Sequence, residues 1–517
     1  MSDFQRVRHA RLAAETGTLR KQADLPFALC YPSPYFVGMS SLGFQTIYRE
    51  LHALDGVSAE RAFLPDDARA ARQNGESLAT YESGRPIGDF PVVAFSLAYE
   101  LELAGLVDCL DLAGIPALAS ERAERRGRVP LVVIGGPLTF SNPLPAGPFA
   151  DVMIMGEADE LIATLADAIR DQPDRAKLLT TLAALPGFYV PSLHGERLPA
   201  IAAASNPKLP AYSQIRTAET ELSNMFLIEP ERGCHRGCTY CVMRRSTNGG
   251  MRTVAPARVL GLIPDDAHRV GLVGAAVTDH PGLPEILHGL VGAGREVGIS
   301  SLRADRLTSE IVGLLKRGGY RTLTTASDGA SERMRTIIDR KTKERHLLHA
   351  AQLCRDHGLK QLKLYMMLGL PGETMDDIDE LGRFSLQLAA IAPRLALGIA
   401  PFVAKKNTPL DGSPFESVDV IDAKLTRLRA HVRGRVTIRP TSAKWAFIEY
   451  RLAQGGFAAG HAAAAATRAG GRYADWRAAL SEVPVPPVVV AAEPAPSLLT
   501  LAGGARSADP DRSIPTG

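Results

Sequence analysis

The sequence predicts an α/β protein with two consecutive parallel β-sheets, and three observations carry that prediction. Apolar runs of strand length alternate with stretches of helical spacing over roughly residues 23–185, and a second series of the same kind covers roughly 222–410. A polar connector, residues 191–221, separates the two series. Strands that are apolar throughout and alternate with helices indicate parallel sheets covered on both faces.

The first series predicts a doubly wound, Rossmann-like domain over residues 23–190. Its strand candidates are the apolar runs FALCY, PVVAFSLAYE, VPLVVIGGPL and ADVMIMGEADEL. Helical spacing in LGFQTIYRELHAL and LELAGLVDCLDLAG supplies the covering helices. Residues 1–22, polar and basic, are predicted as an N-terminal extension.

The second series predicts a partial (β/α)6 barrel over residues 222–410. Its six strand candidates are NMFLIEP, RVGLVGAAVT, EVGISSLRAD, RTLTTAS, KQLKLYMMLGLP and LALGIAPFVA. Six units are fewer than the eight of a closed barrel, so an open side is expected. Residues 411–485 are predicted to be mostly helical, and the tail 486–517, rich in Pro and Ala, to be disordered.

Composition excludes several classes of function. The 517 residues carry a net charge of only +3, which does not favour nucleic acid as the main partner. The first residues lack the apolar core of a signal peptide, and no apolar run reaches membrane-spanning length. We therefore expect a cytoplasmic protein, in which six cysteines serve a metal or catalysis rather than a disulfide framework.

Half of these cysteines lie in the segment ERGCHRGCTYC, residues 231–241. Cys234, Cys238 and Cys241 form C-x3-C-x2-C directly after the first strand of the second series, where a β/α barrel builds its active site. Three thiolates on one loop can hold one metal centre. A structural zinc takes four protein ligands, whereas an iron–sulfur cube held by three keeps one iron open. A zinc site completed by His235 or a distant residue, and unligated thiols, are the alternatives.

With an aromatic residue, Tyr240, before the last cysteine, this motif resembles that of the radical SAM enzymes. The resemblance implies a [4Fe–4S] cluster whose open iron is chelated by S-adenosylmethionine. It also implies that an electron carrier such as a flavodoxin or a ferredoxin reduces the cluster. One electron then splits the sulfonium into methionine and a 5′-deoxyadenosyl radical, which abstracts hydrogen from the substrate.

Other segments of the second series resemble strand motifs of that family. In GLVGAAVTDHP (271–281), Gly274, Ala275 and Ala276 would let S-adenosylmethionine approach the backbone, although small residues also serve helix packing. SSLRAD (300–305) supplies Ser301 and Arg303 as candidate contacts, and an arginine there is also compatible with a solvated charge. In ASDGASERMR (326–335), Asp328 stands where the family commonly has Glu. The turn GLPGET and the segment PFVAKKNTPLDG complete the series.

The first series resembles the cobalamin-binding domain found in one radical SAM subgroup, in an uncharacterised branch. Ser96-Leu97 matches its S-x-L signal, and Gly135-Gly136 matches the glycine pair beside the cobalamin tail. The string Asp-x-His-x-x-G, which would place a histidine under the cobalt, is absent. Either cobalamin binds without a protein histidine, or the domain has kept the fold and lost the cofactor. A tight turn after a strand also explains the glycine pair.

The expected function is therefore cobalamin-dependent methyl transfer to an unactivated carbon of a small molecule or cofactor precursor. A radical SAM mutase, cyclase or RNA- or protein-modifying enzyme without working cobalamin is the first alternative. A non-catalytic cobalamin- or cluster-binding protein is the second. Catalytic residues stay unknown. Candidates that also fit plain surface roles are, at the barrel mouth, Asp279, His280, Asp305, Lys363 and Tyr365 and, after the cysteine loop, Arg244, Arg245 and Arg252.

Overall fold

The computed structural model describes residues 3–243, 250–300 and 302–484. The sequence-based predictions for Arg244, Arg245, Ser301 and the tail 486–517 fall outside these ranges. Within them, none of the helices combines the length and apolar character needed to span a bilayer.

A six-stranded sheet forms the first domain, with strand order β2-β1-β3-β4-β5-β6. The strands are β1 Leu25–Tyr31, β2 Val57–Phe63, β3 Val92–Ser96, β4 Leu131–Gly135, β5 Val152–Ile154 and β6 Phe188–Tyr189. The first five are parallel, and β6 runs antiparallel along the edge of β5. Helices pack on both faces, so the predicted doubly wound architecture is confirmed.

Seven parallel strands form the second sheet. A three-stranded part, β11-β10-β7, meets a four-stranded part, β12-β13-β14-β15, through a parallel bridge between Leu302 and Thr325. A short antiparallel hairpin, β8 with β9, projects after β7. The strands are β7 Met225–Ile228, β8 Glu231–Gly233, β9 Met251–Thr253, β10 Arg269–Leu272, β11 Glu296–Ile299, β12 Thr322–Asp328, β13 Gln361–Leu368, β14 Leu395–Pro401 and β15 Thr437–Pro440.

Nineteen α-helices are described in the three ranges. They are α1 Asp3–Ala13, α2 Tyr35–Gly38, α3 Leu42–Ala53, α4 Ala68–Gln73, α5 Glu102–Leu112, α6 Ala119–Glu124, α7 Leu161–Asp171, α8 Arg175–Ala183, α9 Pro191–His194, α10 Pro256–Gly261, α11 Leu283–Gly292, α12 Ser309–Arg317, α13 Glu332–Ile337, α14 Glu344–Asp356, α15 Met375–Ile391, α16 Val418–Val432, α17 Ala443–Ala453, α18 Phe457–Arg468 and α19 Tyr473–Ser481.

Five described strands, β2, β6, β8, β9 and β15, have no counterpart in the sequence-based prediction, and the two parallel ones among them, β2 and β15, show why. Strand β2, VSAERAF, contains Glu60 and a fully buried Arg61, so it lacks the continuous apolar pattern of its neighbours. Strand β15, TIRP, lies in the segment predicted to be mostly helical. It is a short edge strand that ends in Pro440, where a proline is tolerated because no further strand needs its missing N–H.

The C-terminal helices join the two sheets. Ile448 and Leu452 of α17 and Trp476 of α19 share one buried apolar cluster with Ile134 of β4. The Asn142 side-chain amide donates to the carbonyl oxygens of Leu452, Ala453 and Gly455. The α17–α19 region therefore packs into the core of the first domain.

Candidate active site

The cysteine loop leaves the hairpin at β8 and lies at the carboxyl end of the barrel strands. Cys238 is buried, 6% exposed, and Cys234 and Cys241 are half-buried. All six cysteines are free thiols. Cys30, Cys109 and Cys354 lie in apolar cores away from the loop, as buried small apolar residues do.

The turn that follows α13 packs against the cysteine loop. The Thr239 N–H donates to the Ile338 carbonyl over 3.1 Å. Gly237 lies so close to Asp339 that a Cβ would come within 2.5 Å of its carboxylate. A larger residue between the first two cysteines would therefore have to displace the Asp339 carboxylate.

A cavity of about 210 Å³ opens beside the loop, and the three thiols line it together. Three of the predicted site residues, Ala275, Arg303 and Asp328, line the same cavity. Tyr365, predicted at the barrel mouth, is also in its wall and is 46% exposed. The strand ends of the second sheet therefore converge on one space next to the cysteines.

The three thiols could serve as the ligands of an iron–sulfur cube. Burial raises the pKa of Cys241 to about 11, and it also raises the pKa of Cys234, so metal binding must displace protons. Among the described residues, no three His, Cys, Asp or Glu side chains converge as ligands of one ion. An iron–sulfur cube takes one thiolate per iron, so its ligands surround it without meeting at a point.

His235 does not complete a zinc site. Its side chain is 48% exposed, and Nε2 lies 4.0 Å from the Asp279 carboxylate. The residue is absent from the cavity wall that the thiols share. The alternative of a zinc held by three thiols and this imidazole therefore has no support in the geometry.

Gly274 and Ala276 contact a protein carboxyl group rather than the cavity. Glu231, on β8, is fully buried, and its Oε1 accepts the Ala276 N–H over 2.7 Å. A Cβ on Gly274 would collide with that oxygen. Burial, then the nearby carboxylates Glu229 and Asp279, raise the pKa of Glu231 to about 7, although the Ala276 N–H lowers it. Of the small residues 274–276, only Ala275 reaches the cavity wall.

Asp279 proves to be an anchor for arginines. Its side chain is fully enclosed, and it accepts hydrogen bonds from Arg236 over 2.6 and 2.9 Å and from Arg306 over 3.0 Å. Although burial raises it, those hydrogen bonds lower the pKa of Asp279. Arg303 is paired with Asp305 over 3.1 Å, and its Nε lies 3.8 Å from the Asp279 carboxylate without a hydrogen bond among the described residues.

Asp328 is engaged by two neighbours. Its carboxylate lies 2.8 Å from Nε of Arg340, and it forms a hydrogen bond with the Tyr240 hydroxyl. Burial and this carboxylate raise the pKa of Tyr240. Arg340 could not be predicted from the sequence, because it lies in the turn after α13 with no motif around it.

Two other barrel-mouth candidates have structural partners. The His280 ring is buried, bonded at Nε2 to the Val254 carbonyl and at Nδ1 to the Gly282 N–H, and burial lowers its pKa. Lys363 donates to the Tyr365 hydroxyl over 2.6 Å and is not in the cavity wall.

Comparison with known proteins identifies both sheets. Residues 43–191 match the family described as radical SAM proteins, N-terminal, and residues 228–385 match the radical SAM superfamily. This chain belongs to the radical SAM superfamily. An uncharacterised protein of Methanocaldococcus jannaschii, MJ0966, is 24% identical over 403 residues, covering 75% of this chain and 80% of that one.

Two solved radical SAM structures share this fold. The methyltransferase TsrM from Kitasatospora setae, with cobalamin and a [4Fe–4S] cluster bound, superposes with a TM-score of 0.50 at 13% identity, over 78% of this chain and 75% of that chain. The cobalamin-dependent enzyme OxsB superposes with a TM-score of 0.51 at 14% identity, over 70% of this chain and 52% of that chain. At such low identity these likenesses show the fold alone.

Ion pairs fasten the radical SAM cysteine hairpin to the first domain. Arg232 of β8 lies 3.3 Å from Glu157 and 3.2 Å from Asp159, both of which follow β5. Arg252 of β9 contacts the same Glu157 over 2.6 Å. Arg252, a candidate of the sequence analysis after the cysteine loop, therefore pairs with a carboxylate of the first domain.

The N-terminal domain places Ser96, Gly135 and Gly136 together at the carboxyl edge of its sheet. The Leu97 N–H donates to the Gly135 carbonyl over 2.8 Å. Gly136 has a φ of +101°, and a Cβ there would lie 2.6 Å from the Leu97 carbonyl oxygen. A Cβ on Gly135, by contrast, would meet nothing closer than Ile154 at 3.9 Å. Gly136 is required by the turn, whereas Gly135 leaves space beside the strand end.

Proposed function

We propose that the protein is a cobalamin-dependent radical SAM methyltransferase that methylates an unactivated carbon of a small molecule or cofactor precursor. The observation that carries the proposal is the cavity wall that three free thiols share with Ala275 and Arg303. TsrM, which has the same two-domain fold, is a methyltransferase seen with cobalamin and a [4Fe–4S] cluster.

The thiols of Cys234, Cys238 and Cys241 would hold the cluster, and a cluster held there would supply the electron that cleaves the sulfonium of S-adenosylmethionine. Ala275 adds no bulk, so a ligand can reach the strand backbone. Arg303, although it is paired with Asp279 and Asp305, keeps a buried Nε–H without a hydrogen bond, which suits a ligand carboxylate. Leu302 and Tyr240 contribute apolar surface to the same wall.

Cobalamin would lie at the carboxyl edge of the first sheet, where open doubly wound sheets bind ligands. Ser96 and Gly135 are half-buried there, and the adjacent Tyr99 ring is 46% exposed. Neither His9 nor His52 serves this edge: the first contacts Arg8, and the second contacts the Ala59 carbonyl. The chain would therefore bind cobalamin without an imidazole from these two residues.

The first experiment reconstitutes the full chain anaerobically with iron and sulfide. We expect about four irons per chain and reductant-dependent formation of 5′-deoxyadenosine, with flavodoxin or ferredoxin as electron donor. Cys238→Ser should lose the cluster iron and the cleavage. Cys354→Ser, a buried thiol in α14, is the matched control and should keep both. Full activity in Cys238→Ser would overturn the cluster assignment.

The second experiment tests cobalamin. Wild-type protein incubated with hydroxocobalamin should retain corrin absorption through gel filtration and transfer a deuterated methyl group from labelled S-adenosylmethionine to product. Gly135→Leu fills the space beside β4 and should lose the corrin while keeping the cluster. Gly292→Leu, at the exposed end of α11 with nothing within 4 Å, is the control.

The same measurements separate the alternatives. Cleavage of S-adenosylmethionine by wild-type protein that never retains corrin would favour a radical SAM enzyme with a degenerate cobalamin domain. A cluster-loaded protein that binds corrin and never cleaves S-adenosylmethionine would favour a non-catalytic binding protein.

A further inference from the structure

Arg340 is the cation that the fold brings to the cysteine loop from outside the motif. Its Nη1 lies 4.0 Å from the sulfur of Cys238, at the limit of a hydrogen bond to sulfur. Its Nη2 donates to the Ala326 carbonyl over 3.4 Å, which ties the guanidinium to the end of β12. Arg340 is 11% exposed at its side chain and lines the same cavity as the thiol.

Asp328 supplies the opposite charge in an unusual backbone conformation. The register of β12 against β13 shifts between Ala326 and Asp328, and Asp328 has a φ of +62°, in the left-handed region that non-glycine residues rarely adopt. Backbone strain of this kind costs energy and clusters at functional sites. The shift brings the carboxylate to 2.8 Å from Nε of Arg340.

The pair is incompletely satisfied, although it is almost buried. Neither Arg340 Nε nor Asp328 Oδ2 has a hydrogen bond of good geometry among the described residues, so the contact is a charge pair rather than an aligned hydrogen bond. A pair that served stability alone would gain from aligned bonds, because unmade bonds of buried charges are costly. Its position beside a ligand thiolate offers another role.

Charge and hydrogen bonds around the sulfurs tune the reduction potential of an iron–sulfur cluster. A cation beside a thiolate stabilises the reduced, more negative cluster and raises the potential, and an anion lowers it. Arg340 lies beside the Cys238 sulfur, and the Asp328 carboxylate acts through its charge on the neighbouring thiol of Cys241. The two residues therefore act on thiols of one loop with opposite signs, from elements that the cysteine motif does not include.

We propose that Arg340 and Asp328 form a compensated charge pair that sets the reduction potential of the cluster held by Cys234, Cys238 and Cys241. The inference rests on the proposed function, because it requires that cluster. Arg340 raises the potential through Cys238, and Asp328 limits the rise. Both act as positioning residues through the thiolates and need no contact with the substrate.

The test measures midpoint potentials of the reconstituted full-length protein by redox titration, with the reduced cluster followed by electron paramagnetic resonance. Arg340→Met should shift the midpoint to a more negative potential, and Asp328→Asn should shift it to a more positive one. The double variant should return towards the wild-type value. Opposite signs are the signature, because general loosening of the loop would move both variants in the same direction.

The control is Lys343→Met, which removes one positive charge three residues further along the chain, where the residue is exposed. Screening by water should leave its midpoint unchanged. If Arg340→Met takes up no iron, Arg340→Lys replaces it in the comparison with Asp328→Asn. Lysine keeps the positive charge and lacks the planar guanidinium group. Shifts of equal sign, or no shift with normal iron content, would overturn the inference. A wild-type protein without a cluster would instead overturn the proposed function.

Discussion

The Arg61 cluster of the first domain and the cavity of the barrel both contain buried charged side chains, but the two groups of charges are satisfied differently. Arg61 of β2 is fully enclosed and donates to Glu82 over 2.6 Å and to Glu15 over 2.7 and 2.8 Å. None of the three side chains has a buried polar atom without a partner. Around the barrel cavity, by contrast, Arg303 and Asp328 each keep such an atom.

The difference separates a structural cluster from a site. A buried charge with a complete set of partners gains nothing from a ligand, and it fixes the chain segments that carry it. Here Glu15, from the N-terminal extension, is fastened to the sheet through Arg61. Incomplete partners beside a cavity leave hydrogen-bonding capacity for a ligand. Between these two clusters, the unsatisfied atoms accompany the cavity, although buried charged side chains elsewhere, Glu100 and Glu373 among them, also keep such an atom.

Removing Arg61 should produce the largest effect on stability. Arg61→Met leaves Glu15 and Glu82 buried without their cation, which should lower the free energy of unfolding by about 3–5 kcal/mol. Denaturant unfolding of the apo-protein measures it. Arg72→Met, which breaks the exposed pair with Asp108, is the control and should cost at most about 1 kcal/mol. Similar losses of unfolding free energy in both variants would mean that the buried charges around Arg61 are no more important for stability than an exposed ion pair.

Glu231 should make the free energy of unfolding depend on pH by up to about 3 kcal/mol, because its pKa is raised from 4.5 to about 7. Between these values the folded state binds the proton more strongly than the unfolded state. Its contribution to stability is complete below about pH 4.5 and is lost as the pH rises through 7. The free energy of unfolding of Glu231→Gln, measured at pH 5 and pH 8, should lack this decline. A parallel decline in the variant would contradict the assignment.

Much of the barrel could be predicted from sequence, because its chemistry sits in side chains at fixed spacing. The cysteines, Ala275, Arg303 and Asp328 follow strands whose apolar runs are legible, and parallel strands bring their ends to one edge. The charge partners could not be predicted. Arg340 reaches Cys238 through a turn 102 residues further along the chain, and no local pattern encodes that contact.

The strands and the candidate cobalamin site of the first domain were harder to predict from sequence, because the edge of its sheet is built from backbone and small residues. Strand β2 was missed because Arg61 interrupts its apolar pattern, and its partners Glu15 and Glu82 lie on other segments. Gly136 matched the glycine pair of a cobalamin-binding motif, yet its backbone conformation is required by the turn against Leu97. A small residue can be required by a tight turn or by the close approach of a ligand, and sequence alone does not separate these two causes.

Arg303 tests whether an unsatisfied charge at the cavity binds a ligand. Arg303→Met should weaken binding of S-adenosylmethionine by about tenfold to a hundredfold, the range for losing a charged hydrogen bond, while the iron content stays at the wild-type level. Anaerobic equilibrium dialysis measures it. Arg306→Met also removes a partner of Asp279 and lies outside the cavity wall, so its affinity should stay unchanged. Equal losses in both variants would trace the effect to Asp279.

The smallest effect is expected at Tyr365. Its hydroxyl accepts from Lys363 at an exposed position, so Tyr365→Phe should change the free energy of unfolding by less than about 0.5 kcal/mol and the affinity for S-adenosylmethionine by less than about threefold. The same dialysis and unfolding measurements check both values. A loss of affinity larger than that of Arg303→Met, at unchanged stability, would mean that the neutral phenol holds the ligand. Missing hydrogen bonds of charged groups would then no longer distinguish the site from the Arg61 cluster. The exposure of each residue in the cavity wall would be the better guide to which of them contacts the ligand.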